Sequence, residues 1–387
     1  MNIIAEIGTS HNTDINKAFS LIDAAKDCGS DTVKFQWVYA DEILHPNTGF
    51  VSLPTGKISL YNRFKELECS KDFYEKCRNY AYKKNIKFAC SPFGKKSLQE
   101  LVELSPDYIK IASPELNYVQ LLEMLSPLYK KIPIIISSGV SKLKDIELAV
   151  ETILNDNSAE KNEYLTLLHC STSYPTPEED YNVSLVQTLR NTFGINTGIS
   201  DHSLNPVLVP VLATAYGATV IEKHITLSNE TDGLDDPVAL NPENFSLMVY
   251  EVHQTLALIE RWKKEILSTK NLEAGFLDEV PLNARKEIFK QMINQFGEEK
   301  VTKCSGDGIK KLSESEKENY GRTNRSLHYL RDIKKGEKVL ERDIGILRTE
   351  KELSVGIEPV FLEKIKNRIL TKDVFSGCGV QFEDFVN

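Results

Sequence analysis

The sequence predicts an α/β fold, a (β/α)8 (TIM) barrel followed by a small, mostly β domain. Eight strand-length runs rich in β-branched residues predict the barrel strands, and helical patterns fill the intervals between them. The runs start near residues 2, 32, 86, 108, 132, 165, 195 and 219. One strand and one helix fit each interval except the second, whose excess length places an insertion at about 37–67. Parallel strands that alternate with helices in this way are typical of the barrel.

The intervals carry helical signals. In the first interval Asp14 is a typical N-cap residue, and four apolar residues after it fall on one helical face. These are Ile15, Phe19, Ile22 and Ala25. After the eighth run, Pro242 suits the first turn of a longer helix. A doubly wound open sheet is the alternative architecture, but the chain has no G-x-G-x-x-G motif to favour it.

The pattern changes after the eighth unit. The segment 263–319 is rich in Lys, Glu, Asn and Ser and has one short helical candidate at 284–296, so we interpret it as a connector. Short strand-like runs punctuated by turns follow, which predicts a mostly β domain. The predicted organisation is therefore a barrel over 1–262, the connector over 263–319 and a small domain over 320–387.

Composition narrows the class of protein. The chain has 387 residues, of which 41% are hydrophobic and 27% charged, as in ordinary globular domains. No stretch approaches the ~18 consecutive apolar residues of a membrane span, and the amino terminus has no basic segment like that of a signal peptide. Seven cysteines without a C-x-x-C pair indicate reduced thiols rather than disulfides. We therefore expect a cytoplasmic protein that has no membrane partner.

The net charge constrains the partners. Lys and Arg number 47 and Asp and Glu 56, a balance of −9 that repels polyanions. We therefore expect no nucleic-acid partner, and a small anionic substrate would need cations gathered locally.

Polar side chains stand at the ends of nearly every predicted strand, where barrel active sites lie. They are Glu6, Lys34, Gln36, Ser91, Lys110, Ser113, Glu115, Ser137, Ser138, His169, Ser200, Asp201, His202, Glu222, Lys223 and His224. Lys34 and Lys110 are unusual because each lies within a strand between apolar neighbours. A buried lysine needs an anion, so these two residues and the nearby hydroxyls predict a phosphate or carboxylate ligand. Lys223 is a third candidate cation.

Two histidines, His202 and His224, end neighbouring strands. Two imidazoles without a thiolate would leave coordination positions open for water or substrate, as a catalytic metal requires. Imidazole alone permits zinc, whereas abundant oxygen ligands favour magnesium or manganese. His169 and Cys170 also invite comparison with a Cys-His nucleophile, but no third orienting group is identifiable.

These strand-end motifs resemble, in order, those of the N-acetylneuraminate (sialic acid) synthase family. The matching segments are Ala5-Glu6-Ile7-Gly8 with His11-Asn12, Val33-Lys34-Phe35-Gln36, Ser91-Pro92-Phe93, Lys110-Ile111-Ala112-Ser113, His169-Cys170 with Tyr174-Pro175-Thr176-Pro177, Ser200-Asp201-His202 and Glu222-Lys223-His224. The tail from Arg325-Ser326-Leu327 to Gly336-Glu337 is similar to the family's antifreeze-like (SAF) domain.

The resemblance implies a reaction and a site. The reaction is condensation of phosphoenolpyruvate with an N-acylated hexosamine, such as N-acetylmannosamine, giving a nonulosonic acid and phosphate. Mn²⁺ or Mg²⁺ would bind His202 and His224, and Glu6, Glu115 and Asp235 would be catalytic. The implied substrate-binding residues are Lys34, Gln36, Ser91, Lys110, Ser113, Ser137, Tyr174, Ser200 and Arg348. The resemblance also implies a domain-swapped homodimer, in which Arg348 reaches the acceptor in the partner's barrel.

Several positions depart from the family pattern. Pro114 stands where a glycine is common before Glu115, and Asp236 replaces a histidine beside the acceptor. These changes leave the acceptor open, with a legionaminic or pseudaminic acid precursor or another polysaccharide sugar as alternatives. A barrel phosphatase or lyase, and an inactive sugar-binding homologue, are the remaining functional hypotheses.

Overall fold

A computed structural model describes residues 1–53, 56–155, 162–231, 233–270 and 279–385. Eight strands form a closed barrel in the order β1-β10-β9-β8-β7-β6-β5-β2, which confirms the predicted fold class. Their bounds are β1 Asn2–Gly8, β2 Thr32–Trp37, β5 Lys87–Pro92, β6 Tyr108–Ile111, β7 Ile134–Ser137, β8 Asn162–Cys170, β9 Ile195–Asp201 and β10 Val220–His224. The registered pairs between these strands are parallel.

Helices alternate with the barrel strands along the chain, and the last of them follows β10. They are α1 Ile15–Asp27, α4 Lys71–Lys83, α5 Lys95–Glu103, α6 Val119–Leu125, α7 Leu143–Leu154, α8 Leu185–Phe193, α9 Leu208–Ala215 and α10 Pro242–Lys270. In the described parts of the chain, no helix is both long and apolar enough to cross a membrane.

Local sequence explains where these elements begin and how closely they pack. Asp14 caps α1, because its side chain accepts hydrogen bonds from the backbone N–H groups of Asn16 and Lys17. Gly198 lets β9 approach β10, because a Cβ atom there would lie 2.2 Å from the carbonyl oxygen of Val220. This close approach places the two strands that end at the predicted histidines side by side.

The predicted insertion folds as helices and a hairpin. It contains α2 Ala40–Ile43, β3 Phe50–Leu53, β4 Gly56–Ser59 and α3 Leu60–Glu66. β3 and β4 pair antiparallel. A small apolar cluster that includes Val38, Ile43 and Phe93 anchors this insertion.

The connector candidate at 284–296 is confirmed as α11 Leu282–Phe296, and α12 Glu298–Ser305 follows it. Arg285 ties α11 to the barrel helices by hydrogen bonds to the carbonyl oxygen of Ala215 and the side chain of Gln187. The C-terminal domain has β11 Arg325–Tyr329, β12 Ile344–Arg348 and α13 Leu362–Ile365. Its separate core includes Leu327, Tyr329, Ile333, Val339 and Val380.

The chain divides by its internal contacts into two compact units. The first consists of Met1–Phe35, Cys77–Ala89 and Lys161–Ser315, and the second of Gln36–Lys76, Cys90–Glu160 and Glu316–Asn387. The predicted domains are continuous segments of the chain, whereas each of these units combines several segments, so the predicted domain boundaries stay a prediction.

Candidate active site

His202 and His224 lie together in the first unit. The pairing of Lys223 with Asp201 aligns the ends of β9 and β10, and the two imidazole centroids are 5.6 Å apart. Both side chains are buried. Tyr174 stacks on His202 at 4.2 Å and meets His224 edge-on at 6.2 Å, which places this predicted substrate-binding residue beside both histidines.

The hydrogen bonds of the two rings determine which nitrogens are available. Nδ1 of His202 lies 2.9 Å from the carbonyl oxygen of Ser171, which can only accept, so Nδ1 carries the proton and Nε2 keeps its lone pair. Nδ1 of His224 makes no hydrogen bond to the described residues and is 3.7 Å from a carboxylate oxygen of Asp235. Burial lowers the pKa of both imidazoles from the ordinary value, which favours their neutral forms.

These donors suit a metal only in part. Within the described ranges, no group of three or more His, Cys, Asp or Glu side chains is arranged to hold a metal ion. Two neutral, buried imidazoles, one with an unbonded nitrogen, nevertheless form a chemically suitable pair of ligands for a divalent cation. The remaining positions would then belong to water and substrate.

A buried charge cluster adjoins this pair along the barrel register. Nζ of Lys34 is 2.6 Å from Oε2 of Glu6 and 3.9 Å from Oε2 of Glu222, and Ser200 Oγ donates to Glu222 Oε1 at 2.9 Å. The protein therefore supplies carboxylates for Lys34 itself. The predicted phosphate or carboxylate ligand of Lys34 stays a prediction, and such a ligand would share this lysine with Glu6.

Lys223 has a structural partner. Its buried ammonium group donates to Asp201 Oδ2 at 2.6 Å, to Ser203 Oγ at 3.2 Å and to the carbonyl oxygen of Ser203. This pair joins β9 to β10 directly beside the two histidines. Lys223 is therefore not an available cation, contrary to the sequence interpretation that added it to the basic site.

Replacing Lys223 with methionine should destabilise the protein by about 3 kcal/mol, because Asp201 would stay buried without its partner. Urea unfolding of the full chain measures this change. Lys366→Met is the matched control, since Lys366 pairs with Glu363 at the surface and its loss should leave stability nearly unchanged. A Lys223→Met variant as stable as this control would contradict a structural role for the pair.

Asp235 and Asp236 stand next to each other but face different surroundings. Asp235 approaches His224, whereas Asp236 is fully buried and accepts hydrogen bonds from the hydroxyls of Ser10 and Thr231. Gly233 is required nearby, because a Cβ atom there would lie 2.3 Å from the Asp236 carboxylate. The hydrogen bonds of Asp236 thus stabilise the loop that carries Asp235. This gives a structural reason for the aspartate at position 236, where the family pattern has a histidine.

The second unit holds the other predicted anion-binding residues. Lys110, in β6 and paired with Ile135 of β7, is only 2% exposed, and Ser91, Ser113 and Ser137 are also buried. Ser113 Oγ accepts a hydrogen bond from the backbone of Gly139 at 3.0 Å. The hydroxyl of Ser137 makes no hydrogen bond to the described residues.

Gln36, near the end of β2, is half-buried. Its carbonyl oxygen accepts a hydrogen bond from the hydroxyl of Tyr74 at 2.8 Å, which anchors the backbone at this position.

Glu115, one of the predicted catalytic residues, is paired with two arginines. It ends a 3-10 turn, Ser113–Glu115, in which Pro114 occupies an early position that needs no N–H donor, so the departure at Pro114 is readily accommodated. Both Arg348 and Arg325 form ion pairs with its carboxylate, at 2.6 and 3.0 Å. Arg348 therefore contacts Glu115 of its own chain, whereas the resemblance placed it at a partner's barrel.

Arg325 was not predicted as a site residue. A signal was present in the sequence, because this arginine lies in the strand-like run 325–329, and the structure shows that all five of these residues are buried. Its partner Glu115 lies 210 residues earlier in the chain, which no local pattern could indicate.

The fold and these side chains define a barrel enzyme with polar residues at the carboxyl ends of its strands and an attached C-terminal domain. The chain belongs to the NeuB family, whose model matches residues 21–264, and residues 324–386 match the SAF domain.

Similar proteins match the chain over almost its full length. It is 30% identical to the N,N'-diacetyllegionaminic acid synthase of Campylobacter jejuni over 96% of both chains. It is 32% identical to an uncharacterized protein of Methanocaldococcus jannaschii over 99% of this chain and 94% of that one. The crystal structure of the spore coat polysaccharide biosynthesis protein SpsE of Bacillus subtilis superposes with a TM-score of 0.76 at 27% identity, covering 100% of this chain and 95% of the other.

Proposed function

We propose that the protein condenses phosphoenolpyruvate with an N-acylated hexosamine to give a nonulosonic acid and phosphate. The observation that carries the proposal is similarity to a legionaminic acid synthase over 96% of both chains, within a family whose model matches residues 21–264. The paired histidines at the ends of β9 and β10 and the buried Lys110 support it, because they supply the electrophilic and cationic groups that this chemistry needs.

The reaction forms one carbon–carbon bond and breaks one carbon–oxygen bond. The C2=C3 electron pair of phosphoenolpyruvate attacks the aldehyde carbon, and the aldehyde oxygen takes a proton to become a hydroxyl. Water adds to the electron-poor C2, and phosphate leaves with its bridging oxygen as the added hydroxyl loses its proton. The sum is phosphoenolpyruvate, aldehyde and water giving the 2-keto acid and phosphate.

We assign the anion-binding role to cations and hydroxyls at the strand ends. Lys110, with Ser91, Ser113 and Ser137, would hold the phosphate and carboxylate groups, and the bare hydroxyl of Ser137 suits such a contact. Ser200 is also assigned to this set. Lys34 would also bind the phosphate or carboxylate group. Its ammonium group would then be shared between the substrate and Glu6.

The acid–base roles fall to carboxylates. Glu115 would take a proton from the attacking water, Asp235 would orient acceptor hydroxyls, and Glu6 with Gln36 would complete the polar shell around the acceptor. Tyr174 and Arg348 would contact the acceptor. A divalent cation held by His202 and His224, Mn²⁺ or Mg²⁺, would supply the polarisation of the aldehyde oxygen.

The acceptor would be N-acetylmannosamine or a 2,4-diacetamido-6-deoxyhexose. The name of the Campylobacter relative favours the second class of sugar, since it refers to a diacetylated product.

Phosphate release tests this proposal. The purified chain with phosphoenolpyruvate, Mn²⁺ and a panel of aldoses should release phosphate only when a suitable N-acylated acceptor is present. Release without any acceptor would favour a phosphatase, and binding of phosphoenolpyruvate without turnover on any sugar would favour an inactive homologue.

We also propose a cytoplasmic homodimer. Six of the seven cysteines are buried and none forms a disulfide, which suits a reducing compartment. The resemblance implies that the two chains exchange their C-terminal domains, so that Arg348 of one chain would reach the barrel of the other; within one chain Arg348 contacts Glu115. Light scattering would report the oligomeric state.

A further inference from the structure

Two arginines stand directly opposite each other in the hairpin of the C-terminal domain. The antiparallel register of β11 and β12 pairs Arg325 with Arg348. Like charges in directly opposed positions of a β ladder repel each other. Here the repulsion is offset because both guanidinium groups converge on the single carboxylate of Glu115.

The two oxygens of the Glu115 carboxylate have different surroundings. Oε1 receives Nε and Nη2 of Arg325 at 3.1 and 3.0 Å, and Nε and Nη2 of Arg348 at 2.9 and 2.6 Å. Oε2 is buried and has no hydrogen-bond partner in the described chain. Because a buried carboxylate oxygen is costly to leave unpaired, the geometry indicates that Oε2 is reserved for a ligand or water.

Arg325 has no donor left for a substrate. Its remaining N–H groups bond to the carbonyl oxygens of Glu42, Phe93 and Ile346, and its side chain is fully buried. Glu42 lies in α2 and Phe93 directly follows β5, so this one guanidinium group bonds to two segments that each follow a barrel strand. Any effect of Arg325 on chemistry must therefore pass through the groups it holds.

Arg348 is less fully buried than Arg325. Its side chain is 11% exposed, and its guanidinium group lies over the ring of Phe93 at 5.2 Å. Because both arginines bond to Oε1, loss of Arg325 would free Glu115 to rotate and to make a more symmetric pair with Arg348.

We propose that Arg325 is a positioning residue, which fixes Glu115 through Oε1 and so presents Oε2 to the reacting groups. The inference rests on the proposed function, since it assigns a partner to a residue of that site. Arg325 itself touches neither substrate.

Arg325→Lys tests the inference, because lysine keeps the charge but lacks the planar fork that reaches Glu115 and three carbonyl oxygens together. We expect kcat to fall by about 10- to 100-fold, the loss typical of a misplaced catalytic group, while the KM for phosphoenolpyruvate changes little. Arg331→Lys is the matched control: Arg331 holds Asp343 in the same domain by two hydrogen bonds and should keep wild-type kcat.

Comparing the Arg325→Lys and Glu115→Gln variants with the double variant shows whether Arg325 acts by positioning Glu115 or only by supporting the fold. If Arg325 acts through Glu115, adding Arg325→Lys to Glu115→Gln should cause no further loss of kcat. Losses that multiply, or an Arg325→Lys variant with wild-type kcat, would overturn the inference. If Arg325→Lys does not fold, Arg325→Gln, which keeps N–H donors for the carbonyl oxygens, takes its place with the same criteria.

The activity of the wild-type chain separates a failure of the proposed function from a failure of the positioning role of Arg325. A folded wild type that releases no phosphate with any acceptor overturns the proposed function and this inference with it. An active wild type with fully active Arg325 variants overturns only the positioning role.

Discussion

Replacing His224 with alanine should lower turnover by at least about 100-fold while the protein stays folded. The effect on activity is large because the imidazole is one of two proposed metal ligands at the ends of β9 and β10. The effect on stability is small because Nδ1 of this ring has no hydrogen bond to lose within the described residues. Steady-state kinetics and thermal unfolding measure the two effects separately.

The matched control is His253→Ala, which removes an exposed imidazole from α10 and should leave turnover unchanged. Mn²⁺ binding can be measured from the decrease in the electron paramagnetic resonance signal of free Mn²⁺. This binding should be weaker in the His224 variant and unchanged in the control. Normal turnover of His224→Ala in the presence of a chelator would remove the metal from the mechanism.

Replacing Lys110 with methionine should reduce kcat/KM for phosphoenolpyruvate by about 100-fold, the loss expected when a charged hydrogen bond to an anion is removed. Methionine has a similar length, and thermal unfolding of the variant shows whether the buried position in β6 accepts an apolar side chain. Calorimetric titration with phosphoenolpyruvate in the absence of acceptor measures the binding component directly.

Lys131→Met, at an exposed position, is the control for this substitution. Lys34→Met is an informative contrast, because it also leaves Glu6 and Glu222 without their buried cation and should lower stability as well as activity. Unchanged phosphoenolpyruvate binding in Lys110→Met would contradict the assignment of Lys110 to the anion site.

The fold was predictable because its signals are local. Buried parallel strands appear as short β-branched runs, and their spacing leaves room for one helix each, so the barrel follows from the sequence pattern. The insertion was recognised only by its excess length. Its hairpin strands, β3 and β4, have four residues each, the shortest length at which a strand pattern can be recognised.

The site was predictable in composition but not in its pairings. His202 and His224 could be expected to be neighbours because consecutive strands of a barrel lie side by side. The partners of the buried charges depend on strand register and on contacts between distant segments. The contact of Lys34 with Glu6, of Lys223 with Asp201 and of Arg325 with Glu115 could not be deduced from the sequence alone.

These pairings change the interpretation of charge in the site. A lysine between apolar neighbours indicates that an anion is near, but not whether the anion belongs to the protein or to a ligand. Lys34 and Lys223 have carboxylate partners within the chain, so a substrate anion at Lys34 would share that lysine with Glu6.

The central claim is that the protein breaks the carbon–oxygen bond of phosphoenolpyruvate while joining it to a sugar. The reaction run in ¹⁸O-enriched water tests this claim, with the phosphate analysed by ³¹P nuclear magnetic resonance and the product by mass spectrometry. We predict phosphate without ¹⁸O, formed one-to-one with an acceptor extended by three carbons. Phosphate that carries ¹⁸O from water, released without an extended sugar, would contradict it.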